Sequence, residues 1–198
     1  IWACDIKYAN ELGYKIKLLG VSVKIKDEIE QRVYPCLIKH SHPLAKVGNV
    51  NNAVLLKGDF VGDVTLEGPG AGGHATASAV VADIVDSASN RLSFPFNKKS
   101  KNLSKAKFID ISKHIGEYYF RLNVNDQAGV LLKITDILAS ENISMKTIVQ
   151  KDQVDGNNAH IFGVTHEINE QQIQQAMQKI EKIDSVIEKP NVCLLYTS

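Results

Sequence analysis

Residues 67–88, EGPGAGGHATASAVVADIVDSA, join a glycine-rich loop to an apolar helix built on small residues. Four glycines fall within six positions: Gly68, Gly70, Gly72 and Gly73. Only glycine adopts left-handed backbone conformations freely, so the run predicts a tight turn with accessible N–H groups. Because a helix dipole favours negative charge at its start, such a loop can hold a phosphate or carboxylate. The alternative is a packing turn between strand and helix, since GxGxGG is neither the Rossmann nor the Walker spacing.

The composition is that of an ordinary globular protein with room for one or two domains. The chain has 198 residues, of which 44% are hydrophobic and 23% charged, with a net charge of +1. This charge gives no general attraction to nucleic acid or acidic lipid, and no apolar run reaches the roughly 18 residues of a membrane span. We therefore expect no nucleic-acid or membrane partner. Three distant cysteines, Cys4, Cys36 and Cys193, match no zinc pattern and predict reduced thiols in the cytoplasm.

The sequence that precedes the glycine-rich loop predicts a helix followed by two hairpins. A helix is predicted from Asp5 to Leu12, ended by Gly13. The predicted strands are Tyr14–Lys26 with a bulge at Gly20, Glu30–Ile38, Asn52–Lys57 and Val61–Glu67. His40 and His42 lie in a loop without a third ligand nearby, which favours surface histidines over a metal site.

Residues 91–115 predict a basic linker. From Arg91 to Lys107 the segment carries one arginine and five lysines with no acidic residue between them. A nucleic-acid patch is conceivable, but the interleaved aromatic residues that stack on bases are absent, which favours a solvated linker. Phe94 and Phe96 are expected to dock part of this linker on a domain.

Residues 116–190 predict a separate β-α-β-β-α-β unit, the ferredoxin-like arrangement. In its first strand Tyr118, Phe120 and Leu122 alternate with a polar set that is expected to face solvent, namely Tyr119, Arg121 and Asn123. Asp155-Gly156-Asn157 predicts a hairpin, and Val186–Lys189 is the predicted last strand. Two helices are expected to cover one sheet face and to leave the other face free for a partner.

This second unit resembles an ACT domain. The match consists of Asp126-x-x-Gly129-Val130-Leu131, followed by Glu141-Asn142-Ile143-Ser144. The resemblance implies pairing through sheets and binding of a small ligand, usually an amino acid, near the first turn. Asp126, Gly129 and Val130 are thereby implied as effector-binding residues. Gln127-Ala128 replaces the proline that often precedes the glycine, which leaves the identity of the effector open.

The first half resembles the C-terminal part of the catalytic region of homoserine dehydrogenase. Three segments carry the match in the family's order and spacing: residues 5–20, 42–63 and 67–86. The resemblance implies an NAD(P)-dependent oxidoreductase that interconverts homoserine and aspartate 4-semialdehyde in threonine and methionine synthesis. It also implies a homodimer or higher oligomer. In this family the glycine-rich loop returns to a Rossmann domain, which implies Gly72 as cofactor contact, with Gly70, Ala71 and Thr76 as neighbours.

The family's glycine fingerprint and its catalytic lysine segment are absent, so no catalytic residue is assigned. Lys7, Lys15 and Lys17 follow that segment and do not replace it. We therefore expect a fragment that is inactive alone. The predicted fold class is α+β, a partial catalytic mixed sheet with helices followed by a ferredoxin-like ACT domain. The predicted divisions are 1–90 catalytic, 91–115 linker, 116–190 ACT and 191–198 a tail. The tail and residues 1–4 are both interpreted as non-native sequence. A non-catalytic amino-acid-binding or dimerisation module is the alternative function.

Overall fold

The computed structural model describes residues 1–89, 98–152 and 158–196. The helices are α1 (Ala3–Glu11), α2 (Pro43–Lys46), α3 (Gly73–Ala88), α4 (Val130–Ser140) and α5 (Glu170–Ile180). The strands are β1 (Tyr14–Ile25), β2 (Glu28–Lys39), β3 (Asn51–Gly58), β4 (Gly62–Pro69), β5 (Lys107–Phe108), β6 (Ile115–Asn125), β7 (Met145–Asp152), β8 (Asn158–Thr165), β9 (Ile168–Asn169) and β10 (Asn191–Tyr196). The predicted docking of Phe94 and Phe96 and the hairpin turn at Asp155-Gly156-Asn157 lie outside the described residues.

Two compact units divide the chain, and their boundaries do not follow the chain order. One unit combines residues 1–40 with 107–198, and the other consists of residues 41–106. The larger unit is built on a single sheet with the strand order β1-β2-β10-β6-β8-β7, beside which β5 pairs with β2 and β9 with β6. The ferredoxin-like strands β10, β6, β8 and β7 therefore continue directly into the β1–β2 hairpin. The α+β class and the ferredoxin-like unit are confirmed.

Both faces of this sheet are covered at β6. On one face Tyr118 of β6 reaches α5, where its hydroxyl donates to Glu170. Adjacent strand residues point to opposite faces, and the next residue, Tyr119, packs in a core cluster with Tyr8 of α1. The face that was expected to be free for a partner is thus occupied by the chain's own first helix.

The burial of β6 differs from its predicted alternation for the same reason. Tyr119, Arg121 and Asn123 were predicted to face solvent, but they are only 0%, 2% and 8% exposed. Alternation cannot reveal a helix that covers the polar set from a distant part of the chain, because periodicity reports only local spacing.

The first hairpin is regular. Its register runs without interruption from Tyr14 opposite Lys39 to Ile25 opposite Glu28, so the predicted bulge at Gly20 is wrong. The chain reverses just before β2, where Lys26 adopts a left-handed conformation with φ of 55°.

The end of the chain also differs from prediction. The last strand is β10 rather than Val186–Lys189, and Val186 forms only an isolated bridge to Val124. β10 lies between β2, to which it is parallel, and β6, to which it is antiparallel. Residues 191–196, predicted as a tail, thus form an interior strand of the sheet, with Cys193 fully buried.

The smaller unit contains α2, the β3–β4 hairpin and α3. The hairpin pairs Asn51 with Pro69 at one end and Gly58 with Gly62 at the other, which delivers the chain into the glycine-rich loop. None of the described helices, in this unit or the other, is long and apolar enough to span a membrane.

Candidate functional site

The glycine-rich loop lies between the end of β4 and the start of α3. Gly70, Ala71, Gly72 and Thr76 are all exposed. Gly72 is the N-cap of α3 and has φ of 114° and ψ of 148°, a conformation that is essentially restricted to glycine. No side chain caps this helix, and its first turn holds no acidic residue. Because the first N–H groups of a helix lack intrahelical acceptors, this end can accept an anion.

The four predicted loop residues do not have the same structural role. The N–H of Gly70 donates to the carbonyl of Val50 at 2.8 Å. A Cβ atom at position 70 would lie 2.0 Å from the side-chain nitrogen of Asn52, so a larger residue there would require the Asn52 side chain to move. A Cβ atom at position 72 would meet no neighbouring atom within 4 Å, so the space beside Gly72 is open. The packing interpretation therefore accounts for Gly70, and the anion interpretation fits Gly72.

Thr76 supports the geometry of this loop from within the helix. Its N–H and its hydroxyl both donate to the carbonyl of Gly72, each at 3.1 Å. This double contact fixes the peptide that follows Gly72. Thr76 thus holds the loop in shape, whatever the loop binds.

The predicted effector residues lie in one turn at the start of α4. Gly129 is the N-cap of that helix, in a left-handed conformation with φ of 88°. Asp126 is exposed, and one of its carboxylate oxygens accepts a hydrogen bond from Gln150 Nε2 at 2.9 Å. Val130 is 5% exposed, so its side chain packs in the core. Of the three predicted residues, Asp126 is therefore the one whose side chain can reach a ligand from solvent.

The two loop histidines, His40 and His42, both form hydrogen bonds that have a structural role. The ring of His42 accepts a hydrogen bond from the N–H of Leu44 at 3.2 Å and caps α2. His40 Nε2 lies 3.0 Å from the carbonyl oxygen of Tyr14. Within the described ranges no three or more His, Cys, Asp or Glu residues are grouped so that they could hold a metal ion.

A buried polar junction between α1 and β6 was not predicted. Asp5, fully buried, accepts hydrogen bonds from the Tyr119 hydroxyl at 2.7 Å and from Arg121 Nε at 3.0 Å. Arg121 also donates to Glu188 at 2.7 Å, and its guanidinium lies 4.8 Å from the centre of the Trp2 ring. Burial, followed by the bond to Asp5, raises the pKa of Tyr119 well above its usual range. The sequence signal that could have indicated this junction was Tyr119, an aromatic residue among the side chains predicted to face solvent.

Comparison with known proteins matches both halves of the chain. Residues 1–85 match the family described as homoserine dehydrogenase, and residues 118–185 match the ACT domain. Homoserine dehydrogenase of Helicobacter pylori is 39% identical over 193 residues, which cover 96% of this chain and 45% of that protein. That of Neisseria gonorrhoeae is 41% identical over 196 residues, covering 94% and 44%.

Solved structures agree with these relatives. The crystal structure of a homoserine dehydrogenase from Thiobacillus denitrificans matches with a TM-score of 0.78 at 38% identity, covering 97% of this chain and 44% of that one. The chain spans less than half the length of the relatives it matches. The chain therefore belongs to the homoserine dehydrogenase family, and its residues 118–185 form an ACT domain.

Proposed function

We propose that this chain contributes the end of the catalytic region and the regulatory module of an NAD(P)-dependent oxidoreductase. The enzyme interconverts L-homoserine and L-aspartate 4-semialdehyde in the cytoplasm, as part of threonine and methionine synthesis. The observation that carries this proposal is the succession, within one chain, of a homoserine dehydrogenase segment and an ACT domain. Hydride transfer needs a bound cofactor and a group that moves a proton to or from the substrate oxygen, and the chain's relatives are more than twice its length.

Two parallel assays test the catalytic proposal. A protein that contains this chain together with the upstream family regions should reduce NAD(P)⁺ when homoserine is added. The 198-residue chain alone should show no turnover, because it contains neither the family's glycine fingerprint nor its lysine segment. Failure of the longer protein to oxidise homoserine would reject the proposed function. Turnover by the chain alone would reject the assignment of cofactor binding and proton transfer to the upstream family regions.

For the cofactor, we infer that Gly72 contacts the dinucleotide, with Gly70, Ala71 and Thr76 around it. The support is the open space beside Gly72 and the uncapped start of α3. There the backbone N–H groups would face a phosphate of the cofactor. When bound, NAD(P) supplies the hydride chemistry, and the loop only holds it.

For regulation, we infer that an amino acid binds at the turn formed by Asp126, Gly129 and Val130. Asp126 would face the ligand's ammonium group, whereas Gly129 shapes the turn and Val130 anchors it in the core. Calorimetric titration with single amino acids tests this proposal. Asp126→Asn should weaken the binding, and Asp136→Asn, an exposed aspartate on α4, is the matched control. If the heat of amino-acid binding in both variants equals that of the unsubstituted chain, the role of Asp126 is rejected.

A non-catalytic amino-acid-binding or dimerisation module is the second candidate. It is favoured by the fact that the larger unit contains the complete ACT region and buries its own core. In both cases we propose a homodimer or higher oligomer. A protein with all family regions that binds amino acids and associates but never oxidises homoserine would establish this alternative.

A further inference from the structure

A cavity of about 720 Å³ lies between β2 and α5 in the larger unit. Its charged lining consists of Arg32 and Glu170, beside the phenol of Tyr34, and five glutamines supply most of its other polar groups. It shares no residue with the glycine-rich loop or with the turn at Asp126. Because β2 belongs to the homoserine dehydrogenase segment and α5 to the ACT domain, a ligand here would contact both.

The two charges of the cavity differ in how they are compensated. Arg32 already pairs with the carboxylate of Glu30. Glu170 is 6% exposed, and the donors that reach its carboxylate are neutral, namely the hydroxyls of Tyr118 at 2.8 Å and Tyr34 at 3.1 Å and the amide of Gln174 at 2.6 Å. No cationic side chain in the described parts of the chain lies within 4.0 Å of the Glu170 carboxylate. A buried carboxylate without a cation is costly, so this wall favours a positively charged group.

The amide of Gln174 occupies the position in which a positively charged group would bind. Its amide nitrogen lies 2.6 Å from Glu170 Oε1 and 3.2 Å from the Tyr34 hydroxyl oxygen. A primary ammonium group has three donors and would satisfy the same two oxygens with a full charge, in hydrogen bonds roughly twice as strong as neutral ones. Gln174 is exposed on α5, so its side chain can turn away without disturbing the core.

A second unused group lies at the same cavity. Arg32 Nε is buried and, within the described structure, has no hydrogen-bond partner. An unsatisfied buried donor carries an energetic penalty that a ligand acceptor would relieve. A ligand with an acceptor at its other end would therefore gain a second anchor.

We propose that this cavity binds the primary ammonium group of a small ligand, either a simple amine or an amino acid, between Glu170 and Tyr34. The proposal does not depend on the proposed catalytic function. The two sources of the ammonium group differ in whether they also bring a carboxylate to Arg32.

Titration of the 198-residue chain, followed by NMR of the backbone amides of Tyr34 and Glu170, tests the site. The probes are ethylammonium, L-alanine and propionate. Saturable shifts with ethylammonium and L-alanine support an amine site, and shifts with L-alanine alone support an amino-acid site that uses Arg32. Shifts with propionate equal to those with L-alanine, or no shift with either ammonium compound, would overturn the proposal.

Variants separate the roles of the cavity residues. Glu170→Gln removes the charge and should weaken binding at least about tenfold, which corresponds to about 1.4 kcal/mol.

Gln174→Ala removes the competing amide and should tighten binding severalfold, while Gln178→Ala, at the same cavity, is the matched control. If Glu170→Gln does not fold, Gln174→Ala decides, because this exposed substitution leaves the core intact. Binding by Gln174→Ala that is equal to or weaker than that of Gln178→Ala contradicts the proposal, and Asp126→Asn should leave the shifts unchanged.

Discussion

At Asp5, a single carboxylate oxygen accepts hydrogen bonds from Tyr119 and Arg121, while the other accepts one from the N–H of Trp2 at 2.6 Å. The Asp5 and Arg121 side chains are 0% and 3% exposed, so water screens this ion pair little. Removing one partner of such a pair leaves an uncompensated buried charge, which makes the interaction sensitive to substitution. The junction therefore contributes to the attachment of α1 to the ACT sheet.

Asp5→Asn should lower the free energy of unfolding by about 3 kcal/mol or more, because the Arg121 charge then stays buried without this counter-charge. Denaturant unfolding of the 198-residue chain measures this. Glu11→Gln is the matched control, since Glu11 of the same helix pairs with Lys151 of β7 while both side chains are about 40% exposed. Its expected cost is about 1 kcal/mol or less. Equal costs for the two substitutions would contradict a buried role for Asp5.

The glycines illustrate what single residues allow one to predict. The sequence indicated correctly that the loop after β4 needs glycine, and Gly72 has the expected positive φ. The spacing of the glycines alone could not separate Gly72 from Gly70, because the close packing at position 70 arises from the Asn52 side chain on the neighbouring strand. Such contacts across a hairpin depend on register, which the spacing of glycines does not encode.

Among the elements, α1 determines how the ACT sheet is completed. Its buried residues are Asp5, Tyr8 and Ala9, whereas Ile6 is 51% exposed. The Tyr8 ring stacks on that of Phe162 with centroids 4.4 Å apart. A weakly amphipathic helix of nine residues is marginal alone, so packing of this kind stabilises it.

Tyr8→Ala should destabilise the chain by about 3–5 kcal/mol, the usual cost of removing a large buried aromatic side chain. Ile6→Ala, two residues earlier on the exposed side of α1, should change stability by about 0.5 kcal/mol or less. Thermal unfolding monitored by circular dichroism distinguishes the two variants. A small effect of Tyr8→Ala would show that α1 does not cover the ACT sheet in solution.

β10 shows why one element escaped prediction. Its apolar run, from Val192 to Leu195, follows Pro190 and has no alternating pattern of its own. It is buried because it lies between β2 and β6, and continuous apolar runs are typical of strands covered on both faces. Pairing with β2, which lies far earlier in the chain, cannot be deduced from local sequence.

For the whole molecule, the main structural result is that one sheet contains strands from both family segments. β1 and β2 lie in residues 1–85, and β6, β7 and β8 lie within or overlap residues 118–185. The sequence predicted both family segments and the second unit's order of elements. It could not predict that the two regions share a core, since that follows from long-range pairing and from the position of α1.

The stability of the chain should decrease on both sides of neutral pH. Burial lowers the pKa of His42 and His160 below 6.5, so the unfolded chain binds protons first and stability falls as the pH drops below about 6.5. Burial raises the pKa of the Cys36 and Cys193 thiols to about 11 and about 12. The unfolded thiols ionise first, so stability also falls as the pH rises above about 9. Denaturant midpoints measured from about pH 5 to about pH 10 should therefore peak between these limits, and a midpoint that rises steadily across this range would contradict the burial of these groups.

The most direct test of the proposed cofactor pocket at Gly72 is the KM for NAD(P)⁺ in homoserine oxidation by the protein that contains all family regions. Gly72→Ala is compared with Gly62→Ala, because both glycines have positive φ and open space around them in the same unit. Both variants should lose about 1 kcal/mol or more of stability through backbone strain. Only Gly72→Ala should raise the cofactor KM, by about tenfold, which corresponds to about 1.4 kcal/mol of lost binding free energy. Equal cofactor KM values in the two variants would contradict a role of Gly72 in holding the dinucleotide.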